Sequence, residues 1–231
     1  MLTKELRPRT FRRVDELLED YYGPVEQHSE GPLNSLIRTI LSQNTTDANS
    51  FPAFERLRDH FDGDWEKALE AGPEAYIPLI ESAGLAPTKS KRIYAILEQL
   101  KEQRGELSLD HVCDMEPDEA EEYLLDFKGV GPKTASIVLL FECDMPFFPV
   151  DTHIHRVSGR LGWIPEGASA EKAHEILTDA IPPELHYQLH LNLVKHGRQT
   201  CHPSRPECDP CPISRFCDAY KNDEVEPRGE S

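Results

Sequence analysis

Basic side chains are scarce in this sequence. Its 231 residues carry 25 Lys and Arg against 42 Asp and Glu, a formal net charge of −17 at pH 7. Phosphate-rich partners are normally gripped by basic groups, so this balance taken alone argues against a nucleic-acid ligand. Long apolar runs are missing too: none approaches the ~18 residues needed to span a bilayer. The opening MLTKELRPRTFRR lacks the apolar centre of a signal peptide. These absences point away from membrane and secreted proteins and towards a soluble, cytoplasmic one. No alternating stretch long enough for a strand occurs, and no repeat of fixed period. The six cysteines belong, in such a compartment, to thiols or metal ligands rather than to disulfides.

The acidic excess is spread along the whole chain and is not collected in one tail. A plain solvated surface accounts for it. So does adaptation to high salt, the preferred reading, in which screened surface charge keeps the protein soluble.

Helical periodicity runs through nearly all of the chain. Residues 11–23 place Val14, Leu17, Leu18 and Tyr21 on one face and stop at Gly23. Residues 32–43 open with Pro32 and carry Leu33, Leu36, Ile37, Ile40 and Leu41 on one face. Further helices are expected over 47–61, over 86–105 with Thr88 as N-cap, and over 116–127 with acids in the first turn. Three more follow over 151–163, 169–180 and 183–199. The fold class is all-α. The tail 221–231, KNDEVEPRGES, is polar and expected to be disordered.

Residues 127–140, FKGVGPKTASIVLL, read as two helices around a tight turn. Gly129 and Gly131 allow positive φ and the close approach of another backbone. Pro132 suits the first position of the next helix. The turn then presents free backbone N–H groups at a helix N-terminus, an anion site that needs no basic side chain. This partly meets the objection from charge. A corner whose glycines serve packing alone fits the local sequence equally well. Lys133 stands in the first turn, where the helix dipole repels a cation.

Near the other end, Cys201, Cys208, Cys211 and Cys217 form a C-x6-C-x2-C-x5-C run, with Pro203, Pro206, Pro210 and Pro212 among them. The prolines forbid a regular helix and let four thiols turn to one centre. Such a set suits zinc or an iron–sulfur cluster. Zinc sites usually pair two C-x2-C knuckles, and here there is one. Cys113 and Cys143 stand alone and are expected to be ordinary half-buried thiols.

Together these segments resemble the endonuclease III family of DNA glycosylases. The glycine turn resembles its helix–hairpin–helix, and PVDTHIHRV (149–157) its aspartate motif. The cysteine spacing resembles its [4Fe–4S] loop. ILSQNTTD (40–47) and ESAGLAPTKSKRI (81–93) resemble its two DNA-inserting loops. The resemblance implies a two-lobed helix–hairpin–helix glycosylase fold. A six-helix barrel would span 31–146, and 1–30 with 147–220 would form the cluster lobe. Double-stranded DNA would cross the cleft between them with a damaged base flipped out of the stack. The implied protein is a monomer acting in base excision repair, removing oxidised pyrimidines and cleaving abasic sites.

By the same resemblance, Lys133 is the catalytic lysine. A nucleophilic amine must be neutral, and the helix dipole and partial burial both disfavour the ammonium. Lys133 would attack the sugar C1′, displace the base and, as a Schiff base, permit β-elimination. Asp151 would take a proton from Lys133 and stabilise charge at C1′, while capping the helix that it precedes. Asn44 would fill the gap left by the flipped base. Leu85 would wedge the opposite strand; a hydrophobic contact after Gly84 is the alternative. Lys128, Gly129, Val130, Gly131 and Thr134 would meet DNA; Lys128 stands where the family commonly has proline. The four cysteines would hold a structural [4Fe–4S] cluster. The loop from Cys201 to Cys208 departs from the family's basic pattern, since Arg205 and His202 are offset by Glu207.

Two other functions compete. One is a monofunctional adenine or thymine/uracil mismatch glycosylase of the same fold, whose members commonly carry another residue in place of Lys133. The other is a non-catalytic helix–hairpin–helix DNA-binding module, which needs neither Lys133 nor Asp151.

Overall fold

Residues 8–225 are described by the structure, a computed structural model. In chain order the helices are α1 (Pro8–Tyr22), α2 (Pro32–Ser42), α3 (Asp47–His60), α4 (Trp65–Ala71), α5 (Ile77–Ile80) and α6 (Ala86–Arg104). They continue with α7 (Pro117–Leu125), α8 (Pro132–Cys143), α9 (Thr152–Arg160), α10 (Ala170–Ala180), α11 (His186–Gln199) and α12 (Asp218–Lys221). No strand occurs among the described residues, so the class is all-α. No helix among them is long and apolar enough to cross a membrane.

The chain divides into two compact units. One is Ser29–Cys143, with α2 at its heart. Leu36, Ile37, Ile40 and Leu41 of α2 are fully buried, and the helix packs against both α3 and α8. Each such side chain contributes about 1.5–3 kcal/mol by leaving water. α8 supplies Ala135, Val138 and Leu139, and α6 supplies Ile93, Ile96, Leu97 and Leu100. The start of α2 is held from the end of α8. Glu142 accepts hydrogen bonds from Ser29 Oγ at 2.7 Å and from the Gly31 N–H at 3.0 Å.

The other unit combines the residues up to His28 with those from Asp144 onward. Phe11, Val14 and Leu18 of α1 join Ile154, Val157, Leu177, Leu189 and Leu193 in one core. Phe11 meets Trp163 edge to face at 4.7 Å between ring centroids. α9 and α11 approach closely at Gly197, where a Cβ would stand 2.8 Å from His153 Cβ.

Four local expectations are corrected. Thr88 does not cap α6, which starts at Ala86 with Leu85 as its N-cap. Pro87 pre-sets the helical φ in the first turn and so draws the start forward. Tyr21 is 51% exposed. Its neighbour Tyr22 turns inward instead, its hydroxyl hydrogen-bonding His196 Nδ1 and Thr200 Oγ1. Order runs on past Tyr220, because α12 reaches Lys221 and the Glu224 N–H donates to the Ala219 carbonyl at 2.8 Å. Residues 226–231 of the tail expected to be disordered lie outside the described residues.

The fourth correction is chemical. Cys113 and Cys143 are not separate thiols but a disulfide. The 3-10 turn Asp110–Asp114 packs on α8. This brings the two Cα atoms to 4.7 Å, within the range a disulfide needs.

Candidate functional site

In the unit Ser29–Cys143, α7 and α8 are joined by the glycine turn. Gly129 has φ 92, whereas Gly131 is not in the positive-φ region. So one glycine of the pair is required by backbone conformation. At Gly131 a Cβ would meet nothing within 4 Å; what its absence leaves is open approach from outside. The N–H groups of Gly129, Gly131 and Lys133 donate to no acceptor among the described residues. Together with the positive end of α8 they form a site for an anion.

Val130 and Thr134, also expected to meet DNA, turn inward at the glycine turn. They are 8% and 6% exposed. Their N–H groups are already engaged, Val130 with the Phe127 carbonyl at 3.0 Å and Thr134 with that of Gly131 at 2.9 Å. Both brace the turn from within. Lys128 and Lys133 are exposed. Lys133 is therefore not partly buried: Thr134 and Ala135 take the inward face of the first turn and leave it to solvent.

The two loops resembling inserting loops lie in the same unit. Asn44 has φ 55 and Leu85 φ 51, a left-handed conformation that costs a non-glycine residue about 1–3 kcal/mol. Asn44 is exposed, and Leu85 is 60% exposed, so the hydrophobic contact after Gly84 is not made.

Three residues that sequence reasoning missed organise these loops. Gln43 Nε2 donates to the Gly129 carbonyl and to Thr134 Oγ1, both at 3.4 Å. Arg92 Nη1 donates to Gln43 Oε1 at 2.9 Å. Lys89 is 2% exposed, and its Nζ donates to the carbonyls of Leu41 at 2.7 Å and Ala83 at 2.8 Å. Burial, and to a lesser degree Arg92, pull its pKa down from the ordinary lysine value. A signal existed: Lys89 stands four residues before Ile93, on the apolar stripe of α6.

In the other unit, Asp151 caps α9, its Oδ1 accepting from the Ile154 N–H at 2.7 Å. That bond fixes the carboxylate. Farther along α9, Arg160 Nη1 donates to Cys201 Sγ at 3.1 Å and to the His202 carbonyl at 2.7 Å. Arg156 Nε donates to the Cys201 carbonyl at 3.0 Å.

Cys201, Cys208, Cys211 and Cys217 are all free of disulfides. They line one cavity of about 30 Å³, with Val157, Leu161, His196 and Ile213 among the walls. Burial first, then the charges of the neighbouring thiolates, raise the pKa of Cys208 and Cys211, that of Cys211 to about 12. Burial likewise raises that of Cys217. Four soft donors gathered at one cavity suit a group that brings positive charge with it. No group of three or more His, Cys, Asp or Glu among the described residues stands where it could hold a metal ion.

Residues 37–183 match the family model of the HhH-GPD superfamily of base excision DNA repair proteins. The chain belongs to that superfamily. Endonuclease III of Thermotoga maritima is 35% identical over 198 residues, 86% of this chain and 88% of that protein. Endonuclease III of Sulfolobus acidocaldarius is 33% identical over 190 residues, 80% of this chain and 81% of that one. A solved structure of a trapped covalent intermediate between endonuclease III and DNA matches with a TM-score of 0.77 at 25% identity, over 94% of this chain and 99% of that chain. This HhH-GPD protein has the endonuclease III fold, and it is an enzyme of the DNA glycosylase/AP lyase class.

Proposed function

We propose that this enzyme is a bifunctional glycosylase and AP lyase that removes oxidised pyrimidines from double-stranded DNA and cleaves abasic sites. The observation that carries this reading is an exposed amine, Lys133, one residue after Pro132, at a turn where the backbone N–H groups of Gly129, Gly131 and Lys133 itself donate to no acceptor among the described residues. The N–H groups of Gly129 and Gly131 would hold a DNA phosphate, with Lys128 as a further contact. That would place Lys133 against a deoxyribose. Its lone pair would form the bond to C1′ while the bond to the base breaks, and the departing base takes up a proton. Opening of the sugar then leaves an imine, and loss of the C2′ proton expels the 3′ phosphate. Asp151, held by its cap, is the carboxylate assigned to the positive charge on the sugar and to the proton from the amine. Asn44 and Leu85, exposed and in strained backbone, are assigned to the space of the flipped base and to the opposite strand.

The four cysteines, soft donors that line one cavity, would hold a [4Fe–4S] cluster. Bound there, it supplies a structural tie for the loop Cys201–Cys217. The enzyme would be cytoplasmic, and its net charge of −17 supports a soluble monomer adapted to high salt.

Borohydride reduction in the presence of an abasic-site or oxidised-pyrimidine duplex tests the chemistry. A covalent protein–DNA adduct is expected, lost in Lys133→Gln with DNA affinity nearly intact. A Lys133→Gln enzyme that still cleaves abasic DNA by β-elimination overturns the assignment. Iron analysis should give about four irons per chain; a colourless protein with one zinc would exclude the cluster.

A further inference from the structure

We infer that Lys89 is a positioning residue that clamps the two DNA-inserting loops into one rigid unit. Its ammonium is buried, 2% exposed, and donates at once to the Leu41 carbonyl at 2.7 Å and the Ala83 carbonyl at 2.8 Å. Leu41 lies in the last turn of α2, and Ala83 ends the 3-10 turn Glu81–Ala83. Both carbonyls are of the kind left without a partner at a helix end, where a cation is favoured. Asn44 follows Leu41 by three residues, and Leu85 follows Ala83 by two. Each is exposed and left-handed. A left-handed leucine persists only where its surroundings over-determine it, and a single Nζ ties down the residues just ahead of both strained positions. The Lys89 N–H closes the arrangement by donating to the Leu85 carbonyl at 3.0 Å.

The clamp differs in kind from the catalytic amine. Lys133 is exposed and its amine is open to a substrate, whereas Lys89 is enclosed and donates two of its three ammonium protons to carbonyls. Removing the donors should free the two loops together and leave the glycine turn, whose Val130 N–H is bonded to the Phe127 carbonyl, in place. The prediction is a loss of lesion-dependent DNA distortion without a loss of general DNA binding.

The inference rests on the proposed DNA-repair reading, so its test has an arm without DNA. In Lys89→Met, hydrogen exchange at residues 42–45 and 82–85 should accelerate about tenfold or more in both segments, with exchange in α8 unchanged. A change in one segment alone, or in neither, overturns the clamp whatever the enzyme acts on. With DNA, a 2-aminopurine opposite an abasic-site analogue reports insertion. Its fluorescence rise should fall severalfold in Lys89→Met, and single-turnover cleavage by about tenfold or more, while affinity for undamaged duplex stays within about twofold. Wild-type fluorescence and cleavage in a folded variant would also overturn it. If Lys89→Met does not fold, Lys89→Gln, which keeps one donor group, is measured in the same way, and equal exchange to wild type in both loops refutes the proposal.

Discussion

Arg92 lies across Gly129: a Cβ at Gly129 would stand 2.9 Å from Arg92 Cδ. The same guanidinium holds Gln43, which in turn holds the Gly129 carbonyl. A glycine with φ 92 is thus fixed by backbone conformation and by a side chain from α6.

The two glycines of the turn should therefore respond differently to alanine. Gly129→Ala is expected to lower stability by about 1–2 kcal/mol through its left-handed φ, and to weaken DNA binding by disturbing Arg92. Gly131→Ala should leave the melting temperature unchanged, because nothing lies within 4 Å of the new methyl. Its DNA affinity should nevertheless fall if a phosphate approaches there. Thermal melts and binding isotherms of both variants decide this, and unchanged affinity in Gly131→Ala would remove the phosphate from the turn.

Asp151 combines a cap and a charge, and two substitutions separate them. Asn caps as well as Asp, whereas Ala forfeits about 1 kcal/mol. Asp151→Asn should keep wild-type stability and slow base removal by about 10²-fold or more. Asp151→Ala should lose both. Equal rates for wild type and Asp151→Asn would reduce the residue to a cap.

The Cys113–Cys143 disulfide closes a loop over 30 positions, for which chain entropy gives a stabilisation of about 3–4 kcal/mol. The Cys113→Ser/Cys143→Ser protein should melt correspondingly lower in non-reducing buffer. Addition of reductant should bring the wild type towards it. Identical melting of both proteins before reduction would show that the bond contributes nothing.

Asp15 is 7% exposed, and one of its carboxylate oxygens has no hydrogen-bond partner among the described residues. Burial, reinforced by Glu19 and Glu16, pushes its pKa up to about 6 from 3.8. The folded state thus binds this proton more tightly than the unfolded one. The contribution of Asp15 is fully favourable below about pH 4 and is lost as pH rises towards about 6, to a cost of roughly 2–3 kcal/mol at neutral pH. Asp15→Asn should be more stable than wild type at pH 7.5, with the advantage disappearing by about pH 4. The difference in melting temperature between the two proteins isolates this group; a difference independent of pH would refute it.

Salt should act on fold and activity together. From about 0.1 to 3 M KCl the screening length shrinks from about 10 Å to under 3 Å. Repulsion among the 42 acidic groups then fades, while contacts through backbone N–H groups persist. Melting temperature and abasic-site cleavage should both rise over that range. A steady fall of both would return the acidic surface to plain solvation.

Features encoded in short spacings were legible in the sequence. The glycine turn, the Asp151 cap and the four-cysteine run each lie within one local segment, so residue order alone sets their geometry. The clamp of Lys89 on Leu41 and the hold of Arg92 on Gln43 span 48 and 49 positions. Helical periodicity carries no information about such partners. The disulfide, across 30 positions, was illegible for the same reason, and the expectation of reduced thiols pointed away from it. Lys133 shows a different limit. Its position on α8 follows from Pro132 and Gly131, but its exposure depends on which neighbours turn inward.

The Cys113–Cys143 bond also changes what kind of object the glycine turn belongs to. Residues 113–143 are a closed covalent ring, and α7, the turn and α8 are arcs of it. A ring has no free end that can peel away. A peptide bond hydrolysed anywhere from 114 to 142 leaves one molecule, its two pieces still joined through sulfur. The segment that presents Lys133 could thus be cut without being released.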